Sequence, residues 1–307
     1  MINKKKIKVE NKVIDKVENK VIDKVENKVI DKVENKVIEL NFSKNYIPFG
    51  EKNRPTIFLE CNHSEKTIHY LKSLIKTDIN EGLPNILLYG KEGCGKYTRI
   101  MIFLKEYMGH LGDPYNKNTK AIDVETGEFV PITSKNKIIF AMVSKIHCEI
   151  ELNQVNVNKT LIPFLEYYSN SKNIQLNIHK YIILRNIECL KKETQNALRR
   201  IVETNQSKIR CIMTINSLSN LIKPLQSRFL CISVSSPSFE QTKKIIDNIC
   251  TTYNIKITSK KKEDIINESK YGSSGIINLN ELFLIIEGSI LCSKEKKELS
   301  LSKIYIS

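Results

Sequence analysis

The stretch Asn85–Met101, NILLYGKEGCGKYTRIM, constrains the fold more than any other part of the chain. An apolar run that reads as a buried strand stops at Gly90. Gly93 and Gly95 follow at intervals too short for regular structure, and a helical pattern resumes at Thr98. Glycines let backbone N–H groups turn inward, Lys96 adds a point cation, and the start of the next helix adds positive dipole. Strand, glycine-rich loop and helix in this order form the context that a phosphate loop requires. The same letters also suit a strand-to-helix turn without a ligand. In phosphate loops the residue after the lysine holds Mg²⁺ through a hydroxyl. Here that residue is Tyr97, with Thr98 one step later. A phenol is too long to ligate from that position, so phosphate binding survives the change more easily than metal binding.

The alternation of strand and helix continues along the chain. Asn85–Gly90, Lys137–Val143, Tyr181–Arg185, Ile209–Ile215 and Leu230–Val234 read as buried strands. Helical spacing of apolar residues falls at Thr98–Met108, Thr160–Asn170 and Thr194–Glu203. The expected fold class is α/β: a mostly parallel five-stranded sheet covered on both faces. Ala121–Thr133 reads as an added hairpin turning near Gly127. No strand is expected after Pro237. Ser238 and Gln241 have capping-box spacing for a helix to about Asn254, and helical patterns recur near Lys260–Ser269 and Ile277–Cys292. The expected domains are thus an extension over 1–40, an α/β core over 41–236, a small helical lid over 237–293, and a polar tail over 294–307.

Val9–Leu40 is a tandem octad, VENKVIDK three times and then VENKVIEL. Eight residues advance a helix by about 800°, so the Val/Ile stripe drifts by about 80° per repeat and holds no single seam. Strand alternation fails as well, because neighbouring Val and Ile face opposite sides. The repeat is expected to lie outside the folded core, as a flexible or fraying helical extension or as a partner-binding helix.

The formal charge of +15 favours an acidic partner, nucleic acid before a membrane surface. The basic residues are mostly lysine, and Asn and Ile are abundant. An AT-rich coding genome yields that bias with no role in DNA binding, so both readings stand. The eight cysteines are scattered without zinc-ligand spacing and several lie in apolar runs, as in RCIMTI and FLCISV. They read as buried thiols of a reducing compartment. No apolar stretch is long enough to span a bilayer, and the charged start MINKKKIKVE has no apolar core behind it. A soluble, intracellular protein that is not secreted is expected.

Four elements in order resemble the small subunits of replication factor C, sliding-clamp loaders of the AAA+ class. EKNRP (Glu51–Pro55) is similar to their E-K-Y-R-P element, with Asn53 in place of Tyr. GKYTRIM is similar to the G-K-K-T-R-I-M of the subunit whose own site is degenerate. TQNALRRIVE (Thr194–Glu203) is close to A-Q-x-A-L-R-R-x-M-E. TINSLSNLIKPLQSRF (Thr214–Phe229) resembles the sensor and S-R-C segments, with Phe229 in place of Cys. The resemblance runs from about Tyr46 to Glu287, and the Lys/Asn/Ile bias also resembles that of giant-virus proteins.

The resemblance implies an AAA+ P-loop NTPase core with a helical lid. It implies phosphate contacts from Gly90, Lys91, Glu92, Gly93, Cys94, Gly95, Lys96, Tyr97 and Thr98, with Arg54 near the adenine. Asn216 stands at the position of the first sensor. Arg228 stands at the arginine finger that reaches a neighbouring subunit's nucleotide. The family's central strand ends L-D-E-A-D, where the first acid holds Mg²⁺ and the second polarises the attacking water. This chain has Arg185 and Asn186 there, and Glu188 matches the outer acid. Asn cannot act as a base. Arg185 either lies against a phosphate in the metal's place or caps a strand end. NLNELFLIIE resembles N-L-R-x-A-L and puts Asn280 where the second sensor arginine belongs. ATP is therefore expected to bind weakly or not at all, with no metal ligands and no Mg²⁺ at this chain's own site. On this resemblance, no counterpart of the family's collar domain is expected within 294–307.

The implied function is a non-hydrolysing clamp-loader subunit that completes a neighbour's ATP site during DNA replication. Its partners would be other clamp-loader subunits, a sliding clamp and primer-template DNA, with no membrane. Its place would be the host cytoplasm, in a viral factory, or the nucleus. An active ATPase that uses Glu188 as substitute base and a structural remnant remain the rival readings.

Overall fold

The computed structural model describes residues 47–76, 82–123, 129–130, 138–171, 179–255, 257–271 and 275–294. The octad repeat, the turn of the expected hairpin and the tail beyond Lys294 lie outside the described residues.

A mixed sheet organises the molecule. Its strands are β1 (Ile86–Tyr89), β2 (Asn118–Asp123), β3 (Phe129–Val130), β4 (Ile138–Val143), β5 (His147–Glu151), β6 (Lys180–Arg185), β7 (Ile209–Ile215) and β8 (Leu230–Ser233), in the order β3-β2-β4-β5-β6-β7-β1-β8. The run β5-β6-β7-β1-β8 is parallel throughout, with Leu87 beside Met213 and Cys231, and Cys148 beside Ile182. On the other side β4, β2 and β3 continue the sheet antiparallel, and β2 and β3 are the two arms of the expected hairpin.

The expected five-stranded parallel core is present, but its membership differs from the expectation. Lys137–Val143 belongs to the antiparallel side, and the fifth parallel strand is His147–Glu151. That segment reads HCEIE. Its polar letters at every second position suggest a short solvated strand, yet His147 and Glu149 are buried. The partners of Glu149 come from distant parts of the chain, whereas His147 bonds the nearby Ser144.

Strand alternation divides the apolar side chains between two faces. Leu87, Cys148, Ile150, Ile182, Leu184, Met213 and Ile215 pack against α4 (Val157–Asn170) and α5 (Lys192–Thr204). Ile86, Leu88, Tyr181, Ile183, Ile212 and Ile232 pack against α2 (Glu65–Ile75) and α3 (Lys96–Met108). The faces are nearly all apolar, as a sheet covered on both sides requires.

A helical segment follows β8. Its helices are α7 (Phe239–Thr252), α8 (Ser259–Glu268) and α9 (Leu279–Lys294). Ser238 caps α7 with both halves of the expected capping box: its Oγ accepts from Gln241 N at 3.3 Å, and its own N–H donates to Gln241 Oε1 at 2.9 Å. The expectation of no strands is corrected by a small antiparallel ladder, β9 (Lys270–Tyr271) with β10 (Ile276–Ile277), which turns the chain between α8 and α9. Ile246, Ile249, Ile265, Ile266, Leu282, Ile285 and Ile286 form a separate apolar core here. Phe49, on the short helix α1 (Phe49–Lys52), joins it with its ring 5.2 Å from that of Tyr253.

Candidate phosphate-binding site

The parallel strands bring their carboxyl ends to one edge, where ligands of open α/β sheets bind. β1 delivers the glycine loop there, β6 delivers Arg185 and Asn186, and β7 delivers Asn216. Gly93 has φ 68°, in the left-handed region, and a Cβ there would lie 1.7 Å from Asn278 Oδ1. At Gly90 a Cβ would meet the Val234 carbonyl oxygen at 2.1 Å. Only glycine fits either place.

Lys96, the first residue of α3, folds back on the loop. Its Nζ donates to the carbonyls of Gly90 at 2.6 Å and Lys91 at 3.0 Å, and to Asn216 Oδ1 at 2.8 Å. Burial holds its pKa below the usual lysine value. The structure thus brings together two of the expected site residues, Lys96 and Asn216. Lys91 and Glu92 face solvent, and Cys94 is buried beneath the loop.

Three residues that sequence reasoning missed brace this half. Arg99 is 1% exposed and donates to the carbonyls of His63, Gly95 and Cys94 at 2.7, 3.1 and 3.3 Å. His63 Nε2 meets the Cys94 carbonyl at 2.9 Å. Desolvation, with Arg99 nearby, lowers the His63 pKa to about 4, so the ring is neutral and Nε2 must be the donor. Asn278 caps α9 by accepting from Asn280 N at 3.0 Å, and the next amide, Leu279 N, donates to the Gly93 carbonyl at 3.1 Å. Helix α9 therefore begins on the phosphate loop. Asn280, at the second-sensor position, is exposed. The spacing of Arg99 three residues after Lys96 was the one available signal for its role behind the loop.

The other half is built from side-chain charge. Glu149 on β5 is 0% exposed. Its Oε2 accepts from the Tyr97 hydroxyl at 2.9 Å and from Lys117 Nζ at 2.7 Å, and its Oε1 accepts from Arg185 Nη1 at 3.1 Å. Lys117 Nζ also donates to the Tyr97 hydroxyl. Around the Tyr97 ring stand the Arg185 guanidinium at 4.4 Å and Arg54 and Lys117 at 4.9 Å each, distances at which a cation is attracted to the ring face. Burial first, and Glu149 second, push the Tyr97 pKa far above the ordinary phenol value, so the hydroxyl keeps its proton. Arg54 donates to Thr98 Oγ1 at 2.7 Å and forks onto Glu51, whose pKa it lowers.

Of the two roles open to Arg185, the geometry brings its guanidinium onto Tyr97 and Glu149 at the end of β6. Asn186 adopts left-handed backbone, φ 61° and ψ 54°, which asparagine tolerates. Its Nδ2 donates to Glu151 Oε1 at 3.4 Å. Glu188 has a buried Oε2 without a hydrogen-bond partner among the described residues.

Both Glu149 oxygens are engaged, a phenol replaces the small hydroxyl, and three cations surround the position. Among the described residues no group of three or more His, Cys, Asp or Glu side chains is arranged to hold a metal.

Arg228 lies apart from these groups, just past α6 (Lys223–Gln226). Its Nε donates to Glu203 Oε1 at 2.6 Å, and its Nη1 donates to Ser227 Oγ at 2.7 Å and the Pro224 carbonyl at 2.9 Å. The side chain remains 36% exposed.

Sheet order, glycine loop and following helices define the class: this is the AAA+ P-loop fold. The Holliday junction branch migration motor RuvB of Thermotoga maritima matches it with a TM-score of 0.54 over 80% of this chain and 68% of that one, at 16% identity. No family model matches the chain. In sequence it is 28% identical over 251 residues to replication factor C subunit 5 of Saccharomyces cerevisiae, covering 78% of this chain and 67% of the relative. Replication factor C subunit 3 of Homo sapiens is 28% identical over 215 residues, 68% of this chain and 57% of the relative. For the probable replication factor C subunit 3 of Dictyostelium discoideum, 28% identity extends over 71% of this chain and 62% of the relative. In sequence the chain is thus similar to replication factor C subunits, and it spans about three fifths of the length of such relatives.

Proposed function

We propose that this chain is a clamp-loader subunit of the replication factor C type that binds ATP weakly, does not hydrolyse it, and completes the ATP site of a neighbouring subunit through Arg228. The observation that carries the reading is the contrast between two arginines. Arg185 stands where hydrolysis needs an acid and pairs with Glu149 beside the glycine loop, whereas Arg228 lies away from that loop, paired with Glu203 and with its side chain 36% exposed. Asn186 has no basic oxygen to activate water, and Asn280 has no charge to follow a γ-phosphate. A guanidinium presented to a neighbour does its chemistry outside this chain, so its role does not depend on the chain's own site. The similarity to replication factor C subunits and the AAA+ fold support ring partners, a sliding clamp and primer-template DNA, and the net charge of +15 suits the last of these.

The test is a reconstituted assembly with a hydrolysis-competent neighbour. Arg228→Ala is expected to lower ATP turnover while assembly is kept, by a factor below the roughly 10³–10⁵ of arginine fingers in GTPases. Arg228→Lys is expected not to restore it, since the ammonium lacks the planar fork. Parental turnover in both variants would remove the role in trans.

One observation favours a second reading. Glu188 has a buried oxygen without a hydrogen-bond partner among the described residues, and its carboxylate partly offsets the lowering of the Lys96 pKa by burial, which suits a substitute base beside the loop. Metal-dependent phosphate release by the isolated chain, abolished by Lys96→Ala, would establish that reading and sink the first.

A further inference from the structure

We propose that the Tyr97–Arg185 pair takes the place of the magnesium ion, so that this chain binds a nucleoside di- or triphosphate without a divalent cation. The inference rests on the reading of the glycine loop as a nucleotide site. It goes beyond that reading in stating how the charge of the phosphates is met.

The two residues that depart most from a metal-binding loop are in contact. Tyr97 comes from the first turn of α3 and Arg185 from the end of β6, more than eighty residues later in the chain. Each substitution alone would be costly. A tyrosine beside an ordinary acid would displace the ion and leave the acid unpaired. An arginine beside an ordinary serine or threonine would lie against the lysine of the loop with no ring to cover it. Together they close: the guanidinium stacks 4.4 Å from the ring centre, and both groups bond the same carboxylate, Glu149. Lys117 joins from the start of β2 and Arg54 from the segment after α1, so three cations border the ring. A divalent cation brought here would meet like charge on three sides and a carboxylate with no oxygen to give.

The same arrangement suits an anion. Among the described residues only Nη1 of Arg185 is engaged, by Glu149 at 3.1 Å and Glu151 at 3.7 Å. Nε and Nη2 remain as donors on a side chain that is 25% exposed. A guanidinium fork matches two phosphate oxygens at once. Lys96 is held in reserve on two loop carbonyls and Asn216, contacts that a phosphate oxygen replaces without leaving a buried donor unmet. Fixed cations on both halves of the loop thus supply what the ion supplies elsewhere.

The experiment is calorimetric titration of the full chain with ATP and with ADP, once in EDTA and once in excess Mg²⁺. The expected result is binding in EDTA that is equal to or tighter than binding in Mg²⁺, because the magnesium complex of the nucleotide is the poorer ligand. The double variant Tyr97→Thr with Arg185→Asp is expected to reverse the order, with affinity roughly tenfold or more higher in Mg²⁺ than in EDTA. A parent protein that loses about tenfold or more of its affinity on removal of Mg²⁺ overturns the proposal, and so does a parent that binds neither nucleotide in EDTA. The parent titrations decide the matter even if the double variant fails to fold. Failure of the clamp-loader reading is separate: metal-free ATP binding together with no effect of Arg228→Ala in the assembly would remove that reading and leave this one intact.

Discussion

From Gly90 to Lys96 the site is made of backbone and one lysine, while around Tyr97 it is made of side-chain charge. The first half keeps features that suit a phosphate: positive-φ glycines at 90, 93 and 95, a helix start and a cation within reach of Asn216. The second half inverts the charge expected at a metal position, yet it is fully built, with a buried carboxylate that bonds three partners. A site eroded by drift would leave gaps or unmatched charge. Here the side chains close on one another around Glu149, so this half is held together by charge, whereas the glycine loop is held by hydrogen bonds to its backbone carbonyls.

That difference predicts unequal responses to mutation, the largest at Glu149. Removing one member of a buried, hydrogen-bonded ion pair costs about 3–5 kcal/mol, because the remaining charges lose their partner. Glu149→Ala would take the buried acceptor from Lys117 and the Tyr97 hydroxyl and leave Arg185 only Glu151 at 3.7 Å, and its thermal midpoint is expected to fall by roughly 10 °C or more. Differential scanning calorimetry of the full chain measures this. A change of a degree or two would mean that the cluster is solvated and incidental.

The two halves were also unequally legible in the sequence. The phosphate half is local: the strand, the glycines and Lys96 lie within a dozen residues, so spacing alone located it. Strands β1, β6, β7 and β8 were readable for a related reason, being short, continuous apolar runs bounded by polar residues. The metal half joins Arg54, Tyr97, Lys117, Glu149 and Arg185, and no local pattern connects them. Glu149 in particular sits in HCEIE, whose polar alternation belongs to a solvated strand. Its burial follows from partners that only the folded sheet assembles. Tyr97 and Arg185 were visible as departures from a pattern. Their contact was not, because departures carry no information about distance.

A neutral histidine in each half allows a second comparison through pH. Desolvation is the main cause in both cases and lowers each pKa from 6.5 to about 4, with Arg99 assisting at His63 and Glu149 opposing at His147. The unfolded chain binds the proton first, so between pH 6.5 and pH 4 it holds more protons than the folded chain and stability falls as pH falls. Above pH 6.5 this contribution is complete and flat. Each imidazole is expected to contribute on the order of 2 kcal/mol to the loss. His63→Gln retains a donor toward the Cys94 carbonyl, and His147→Asn retains a side-chain amide, able to donate or accept, toward Ser144 Oγ. Chemical denaturation at several pH values is expected to give a shallower slope in each variant than in the parent. An unchanged slope for His63→Gln alone would mean that the phosphate half opens to water below neutral pH while the metal half stays dry.

The smallest effect is expected at Asn216, and it is the sharpest check on the comparison. Asn216 Oδ1 is one of three acceptors of Lys96 Nζ; the carbonyls of Gly90 and Lys91 are the others. Those two belong to the loop backbone and stay when the side chain is cut to alanine, so Lys96 is never left without an acceptor. A single hydrogen bond contributes about 1 kcal/mol net, and Asn216→Ala should cost no more than that. The midpoint would then drop by roughly 2–4 °C. Glu149 differs because one buried carboxylate serves three donors, of which Arg185 alone has a second carboxylate, Glu151 at 3.7 Å. If Asn216→Ala destabilises the protein as much as Glu149→Ala does, the phosphate half also depends on a single side chain, and the division between a backbone-built half and a charge-built half fails.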